Sequence, residues 1–294
     1  MMTQLNLLLP THPDKIINVA QVKQLSPFRY PGGKTWLVPW VKSWLLYLQQ
    51  FDATFIEPFA GGGITSLTVA HDNLASRCIM IEKDEEIAAV WQTIISGDWQ
   101  YLADRILNFN LSYENAKEVI NAQPNSASEK AFQTILRNRI YHGGILANGS
   151  GMLKNGENGK GIHSRWYPET IAKRLKTISL FRNRVEFIGG DGFEIINQHL
   201  NDPNAIFFVD PPYTASKKKA GTRLYRYHKL DHDKLFSLMS RTQGHFMMTY
   251  DDSAEIEDYC KKYNLQYVRV PMTGTHHRKL FELIICDDIN WAIS

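Results

Sequence analysis

The sequence predicts an α/β fold, a doubly wound sheet interrupted by a mainly helical insertion. Three observations carry this expectation. Strand, turn and helix follow one another twice between Ala53 and Ile95; short apolar runs that end in acids or turns return after Arg184; and the stretch between them, from about Trp99, is helical and loop-rich. The sheet domain is therefore assigned to residues 20–98 and 185–294, and the insertion to residues 99–184.

Element by element, "SPFRYPGGKTWLVPWVKSWLLYLQ" reads as a Pro/Gly turn and then a helix from about Trp36 to Gln49, with Leu37, Val41, Trp44, Leu45 and Leu48 at helical spacing. "ATFIEPFAGGGITSLTVAHDN" gives a short strand, a glycine-rich turn and a helix from about Ile64. "ASRCIMIEKDEEIAAVWQTII" repeats the unit, with a strand from Arg77 to Ile81, an acidic end and a helix from about Glu85. In the insertion, "HGGILANGSGMLKNGENGKGIH" is rich in Gly and Asn and reads as a loop. Strands return at "RVEFIGGDGFEII", "AIFFVDPPY", "HFMMTYDD", "YVRVPM" and "LFELIICDD", with helices predicted in "DHDKLFSLMSRTQ" and "SAEIEDYCKKYN". Alternation of this kind is that of a Rossmann-like sheet.

At 294 residues and 44% hydrophobic, the chain can bury one large core. Its net charge of +3 leaves any basic face to local clustering rather than overall excess. Cys78, Cys260 and Cys286 lie far apart without CxxC spacing, as buried thiols of a reducing compartment would. The N-terminal stretch lacks a basic leader, and no apolar run approaches spanning length, so a cytoplasmic protein off the membrane is expected. His276 and His277 have no evident ligand partners, and no metal is expected.

"EPFAGGG" stands where a strand gives way to a helix, the place at which backbone N–H groups and the helix N-terminus gather in open α/β sheets. It is not a GxGxxG dinucleotide fingerprint. The next strand ends at Glu82, about the twenty-residue offset at which a carboxylate meets ribose hydroxyls. A ribose-bearing ligand follows from the pair. The alternative is a charged helix start at Glu82 to Glu86, favoured by the helix dipole.

A buried strand that runs into Asp210, Pro211, Pro212 and Tyr213 poses a sharper question. A rigid turn leaving the sheet is the plain reading. The chemical reading uses more of the residues: the prolines fix φ and donate no N–H, so a carboxylate and a backbone carbonyl converge beside an aromatic face. Such a group accepts two hydrogen bonds from an exocyclic amino group and stacks its ring, which suits a nucleobase bearing NH₂. Hydrogen bonds to both N–H groups favour a more tetrahedral nitrogen whose lone pair can attack.

Taken in order, "RYPGGK", "FIEPFAGGG", "IEKDEE", an insertion, "GGDGF" and "DPPY" resemble the Dam-like class of S-adenosylmethionine-dependent N6-adenine DNA methyltransferases over nearly the whole chain. The resemblance implies a sheet domain with the insertion as a separate target-recognition lobe. It makes Tyr30 and Lys34 contacts for the methionine end of the cofactor, and Phe59, Gly61 and Gly63 the loop beneath it. Glu82, where many relatives have Asp, takes the ribose. Asp191 and Phe193 hold the cofactor adenine, although Gly192 separates an acid and an aromatic that are often adjacent in relatives. Asp210, also near the cofactor, orients the target N6 with the Pro211 carbonyl, Pro212 stiffens the turn, and Tyr213 stacks on the flipped ring.

Double-stranded DNA is the implied partner, and a flipped base costs a few kcal/mol of unstacking that basic and aromatic groups must offset. The candidates are Arg137 and Arg139 in "RNRIYHGG", Arg165 in "HSRWYPETIAKRLK", and Lys217, Lys218, Arg223 and Arg226 in "SKKKAGTRLYRYHK". A cognate restriction endonuclease encoded nearby is a further expected partner. Rival readings are an N4-cytosine methyltransferase, a catalytically idle DNA-binding protein on the same scaffold, and a dinucleotide-dependent oxidoreductase, against which the incomplete glycine fingerprint and "DPPY" count.

Overall fold

Apolar, β-branched and aromatic runs form the parallel part of the sheet, in strands β1 (Thr54–Glu57), β2 (Arg77–Glu82), β3 (Val185–Gly189), β4 (Ala205–Val209) and β5 (His245–Asp251). The computed structural model describes residues 17–29, 33–147, 149–212, 230–273 and 279–293. β6 (Gln266–Thr273) and β7 (Lys279–Cys286) complete a seven-stranded sheet of order β3-β2-β1-β4-β5-β7-β6. β1 to β5 pair in parallel, and β7 runs antiparallel to both β5 and β6. The winding reverses between β1 and β4, and such a switch point opens a crevice at the carboxyl ends of the strands.

The central strands β2, β1, β4 and β5 are buried on both faces, and their side chains divide by the strand period of two. Phe55, Ile206 and Phe208 belong to one apolar layer, whereas Ile56, Phe207 and Val209 belong to the other. The first layer is covered by α1 (Val38–Leu48), α2 (Ile64–Asp72) and α3 (Glu85–Ser96); the second by α8 (Gly192–His199), α9 (His232–Met239) and α10 (Ala254–Tyr263). The three cysteines are buried and unpaired as disulfides. The first predicted helix divides in two: Thr35–Leu37 form a 3₁₀ turn, and Pro39 fits the first turn of α1, where its missing N–H is harmless.

Residues 99–184 are helical, in α4 (Trp99–Leu107), α5 (Tyr113–Asn121), α6 (Ala127–Ile140) and α7 (Pro168–Ser179). Ser112 and Ser126 cap α5 and α6 by accepting from Asn115 and Glu129 N–H groups. The resemblance implies a separate lobe, but these helices share a core with the sheet. Leu102, Ile106, Phe132, Ile135, Leu175 and Ile178 join the apolar layer that covers β1 and β4. The reason lies in α3, which buries Ile87, Ala89, Val90, Trp91, Thr93 and Ile94 and so presents apolar surface to more than one side. The described part of the Gly/Asn loop is pinned by Leu153 N donating to Ile140 O at 2.8 Å and by Ser164 Oγ donating to Gly161 O at 2.6 Å.

Candidate active site

Four parallel strands end side by side with chemistry-bearing residues at or just past their carboxyl ends: Glu57 on β1, Glu82 on β2, Asp191 after β3 and Asp210 after β4. The turn after β1 is built on left-handed glycines. Gly61 has φ of 48°, and Gly63, with φ of 63°, starts α2. A Cβ on Gly63 would lie 2.5 Å from Met80 Cε and 2.9 Å from Trp91 Cζ2, so only glycine fits there. Trp91 Nε1 donates to Gly61 O at 2.8 Å, which fastens the turn to α3.

Glu82 closes this turn. Its Oε2 accepts the Gly61 N–H at 2.9 Å and its Oε1 accepts the Asp84 N–H at 2.7 Å. Burial, with the Asp84 charge nearby, pushes its carboxyl up to about 7 against the pull of these backbone donors. A carboxylate has about four acceptor positions, so capacity remains beyond the backbone amides for a ligand hydroxyl. Glu57 is buried, accepts from Ser66 N at 3.0 Å and Ser66 Oγ at 2.5 Å, and is pushed up to about 8 by burial.

Beside Glu82, Phe59 and Phe193 meet edge to face with ring centroids 6.2 Å apart, and Lys234 Nζ lies 5.0 Å from the Phe193 ring. Asp191 caps α8 by accepting the Phe193 N–H at 3.0 Å and pairs with Lys83 at 2.8 Å. Burial alone would raise its carboxyl; Lys83 and the Phe193 amide outweigh it and hold it below the ordinary aspartate range. Gly192, the unexpected spacer, has a steric reason: a Cβ there would sit 2.3 Å from Pro58 O, so glycine lets α8 start against the β1 turn.

Across the switch point, Asp210 Oδ1 accepts the Thr249 hydroxyl at 2.8 Å and lies 3.4 Å from Lys34 Nζ. Lys34 is 4% exposed, and its Nζ is also 2.8 Å from Glu282 Oε2. Glu282 sits on β7 opposite Asp251 of β5, so the antiparallel part of the sheet supplies an anchor for Lys34. Burial raises the Glu282 carboxyl, which Lys34 counters and Asp210 reinforces. Lys34 therefore reaches the target-side carboxylate as well as lying near the turn assigned to the methionine end. Thr249 and Glu282 escaped sequence reasoning; the visible signals were a glutamate inside the apolar run "LFELIIC" and a threonine inside "FMMTY".

The structure thus brings Lys34 to Asp210, Glu82 to the glycine turn, and Phe59 to Phe193. Pro211 is buried and Pro212 half-buried after β4. Tyr30, Tyr213, Lys217, Lys218, Arg223 and Arg226 lie outside the described residues. Arg137 is engaged within the protein: its Nη1 meets both Glu86 oxygens at 2.7 Å, and its Nη2 donates to Leu146 O at 3.0 Å. Arg139 and Arg165 instead line a cavity of about 450 Å³ that also touches Gly33 and Gly62. Among the described residues, no group of three His, Cys, Asp or Glu could hold a metal ion, and no helix is long and apolar enough to cross a membrane.

Residues 30–273 match the D12 class N6 adenine-specific DNA methyltransferase family. The chain belongs to that family. It is 23% identical over 268 residues to the Type II methyltransferase M.CviBI of Paramecium bursaria Chlorella virus NC1A, covering 89% of this chain and 95% of that one. With the Type II methyltransferase M.MjaIII of Methanocaldococcus jannaschii it shares 21% identity over 226 residues, 71% of this chain and 76% of the relative. Among solved structures, the precorrin-6y C5,15-methyltransferase of Geobacter metallireducens GS-15 overlays with a TM-score of 0.32 at 9% identity, over 82% of this chain and 84% of that one. The family member described here methylates adenine in DNA; the cytosine, idle-module and oxidoreductase readings are not favoured.

Proposed function

We propose that the methyl donor is S-adenosylmethionine, held at the ends of β1, β2 and β3, and that the adenine is presented to it at Asp210. The observation that carries this reading is the division of the strand ends into two sides. On one side, Glu82 is fixed by two backbone amides and keeps acceptor positions for ribose hydroxyls, next to the Phe59 and Phe193 rings. On the other, Asp210 is fixed by Thr249 and Lys34. The residues fit a nucleoside, because a carboxylate and aromatic rings stand together where the glycine turn leaves the backbone open to approach.

When bound, S-adenosylmethionine supplies an electrophilic methyl group on its sulfonium. The chain's own work is to hold and orient. Gly61 and Gly63 shape the turn, and Tyr30 and Asp191 are the further proposed cofactor contacts. Asp210 accepts one N6–H of a flipped adenine and the Pro211 carbonyl the other, while Pro212 keeps the turn rigid and Tyr213 stacks on the ring. Thr249 and Lys34 keep the Asp210 carboxylate in place, so that positioning rather than covalent catalysis by a side chain lowers the barrier.

Residues 20–98 and 185–294 form the catalytic part in this reading, and residues 99–184 contact the DNA. Arg139, Arg165, Lys217, Lys218, Arg223 and Arg226 are the proposed DNA contacts; Arg137 is left out because Glu86 occupies its guanidinium. In this reading the protein acts in the cytoplasm on double-stranded DNA, and a restriction endonuclease encoded nearby is a further proposed partner.

Titration calorimetry with S-adenosylhomocysteine tests the division of the site. Glu82→Gln should weaken binding about tenfold or more, the worth of charge-assisted hydrogen bonds, whereas Asp210→Ala should bind within a few-fold of wild type. Equal loss in both variants, or in neither, would contradict it.

A further inference from the structure

The cavity of about 450 Å³ is lined by four arginines from separate parts of the chain: Arg29 before the N-terminal turn, Arg139 on α6, Arg165 before α7 and Arg174 on α7. Its lining also includes Gly33 and Gly62, so it borders the glycine turn itself. Resting on the DNA-methylating reading above, we propose that this cavity is a binding site for a DNA backbone phosphate beside the flipped adenine, with Arg29 and Arg174 as contacts not foreseen from the sequence.

The charge balance demands an anion. Glu157 pairs with Arg165, but among the described residues no carboxylate pairs with Arg29, Arg139 or Arg174. Arg139 is only 5% exposed; its Nη2 donates to Pro27 O, yet its Nε has no hydrogen-bond partner among the described residues. Buried donors are normally satisfied, and this one, itself without accessible surface, is not, so the Arg139 guanidinium is held in surroundings short of acceptors. Burial, and then repulsion from Arg174, Arg29 and Arg165, push the Arg139 guanidinium down to about 9, the signature of a cation cluster without its counter-charge.

The methyl donor meets this need only in part. It brings one carboxylate, set against a sulfonium and an ammonium, so at most one arginine of the cluster is answered by it. A phosphodiester chain carries one negative charge per nucleotide and takes forked hydrogen bonds from arginine. The backbone contacts of the cluster pre-organise it: Arg174 Nη1 donates to Ser26 O at 2.7 Å and Arg139 to Pro27 O, so both forks are already aimed before DNA arrives. Because the cavity touches Gly62, the phosphate it holds lies near the cofactor loop, and gripping it there secures the backbone from which the base has swung out.

The test measures duplex binding by fluorescence anisotropy across 50 to 200 mM salt, using a random-sequence duplex and one carrying the adenine that the enzyme methylates. Arg29→Gln and Arg174→Gln should each weaken binding on the order of tenfold near 0.1 M salt and make the slope of log affinity against log salt shallower by about one. Arg241→Gln, on an exposed cation elsewhere, should change neither. S-adenosylhomocysteine binding reports that each variant is folded. With wild-type protein, single methylphosphonate linkages scanned along the duplex should identify a phosphate within two nucleotides of the target whose neutralisation costs about tenfold. Unchanged slopes in folded variants, or a scan in which no such linkage matters, would overturn the proposal. Shallower slopes in a protein that forms no N6-methyladenine would keep the phosphate site and sink the reading of the reaction instead.

Discussion

Replacing Lys34 with methionine would remove the cation on which two carboxylates converge, at nearly constant side-chain volume. Lys34 is 4% exposed, 2.8 Å from Glu282 and 3.4 Å from Asp210, so its loss leaves Glu282 buried and facing another acid. Breaking a buried pair by removing one partner costs about 3–5 kcal/mol, and the deep position of Glu282, itself 6% exposed, puts the expected loss in that range at pH 8. The pH dependence has a definite sign. Burial already raises the Glu282 carboxyl above 4.5 in the folded protein, and without Lys34 it rises further. A carboxyl raised in the folded state binds its proton there when the unfolded chain has lost it, so the variant loses stability as pH rises from about 4.5 upward. Urea unfolding of wild type and variant should thus differ more at pH 8 than at pH 5.5. The double variant Lys34→Met with Glu282→Leu should recover most of the stability, because an apolar replacement of a buried pair is often neutral, while methyl transfer stays impaired because Asp210 has lost Lys34. A single-variant cost under about 1 kcal/mol, the range of an exposed ion pair, would refute the reasoning.

Three further outcomes follow from the strand ends. Gly63→Ala places a methyl 2.5 Å from Met80 Cε in a left-handed conformation, and should cost about 2–4 kcal/mol in urea unfolding through strain and overpacking. Glu82, raised to about 7 in the folded protein, makes the ligand-free enzyme less stable as pH climbs from about 4.5 to 7; Glu82→Gln should flatten the melting temperature over that window. Glu57 lies higher still, at about 8, so stability falls across pH 4.5 to 8 as the unfolded chain alone loses this proton; Glu57→Gln should flatten the decline over that window and gain most on wild type near pH 8.

The strands and helices around the site were legible because each carries its own local signal. β1, α2, β2 and α3 begin where alternating or helical periodicity meets Gly63, Asp84 or the acidic strand end. Glu82 and Asp210 could be singled out because each is an acid at the end of an apolar strand, and parallel strands place such ends together. Pairing across the chain was not legible. Nothing local says that β7 inserts between β5 and β6, and with that order unknown, Glu282 could not be matched to Lys34, 248 residues away. Arg137 and Arg139 stand two residues apart on one helix, and only the packing of α6 on α3 sends one to Glu86 and the other into the arginine cavity. Gly192 read as a departure from the family pattern until its contact with Pro58 supplied the steric reason.

The central claim is that Asp210 presents adenine N6 to the methyl group. Wild type and Asp210→Ala should each be incubated with duplex DNA and tritiated S-adenosylmethionine, and the DNA digested and chromatographed as nucleosides. Label is expected in N6-methyladenine with wild type and lost in the variant, although the variant still binds S-adenosylhomocysteine. Label undiminished in Asp210→Ala would contradict the account, as would label from wild type in any other nucleoside.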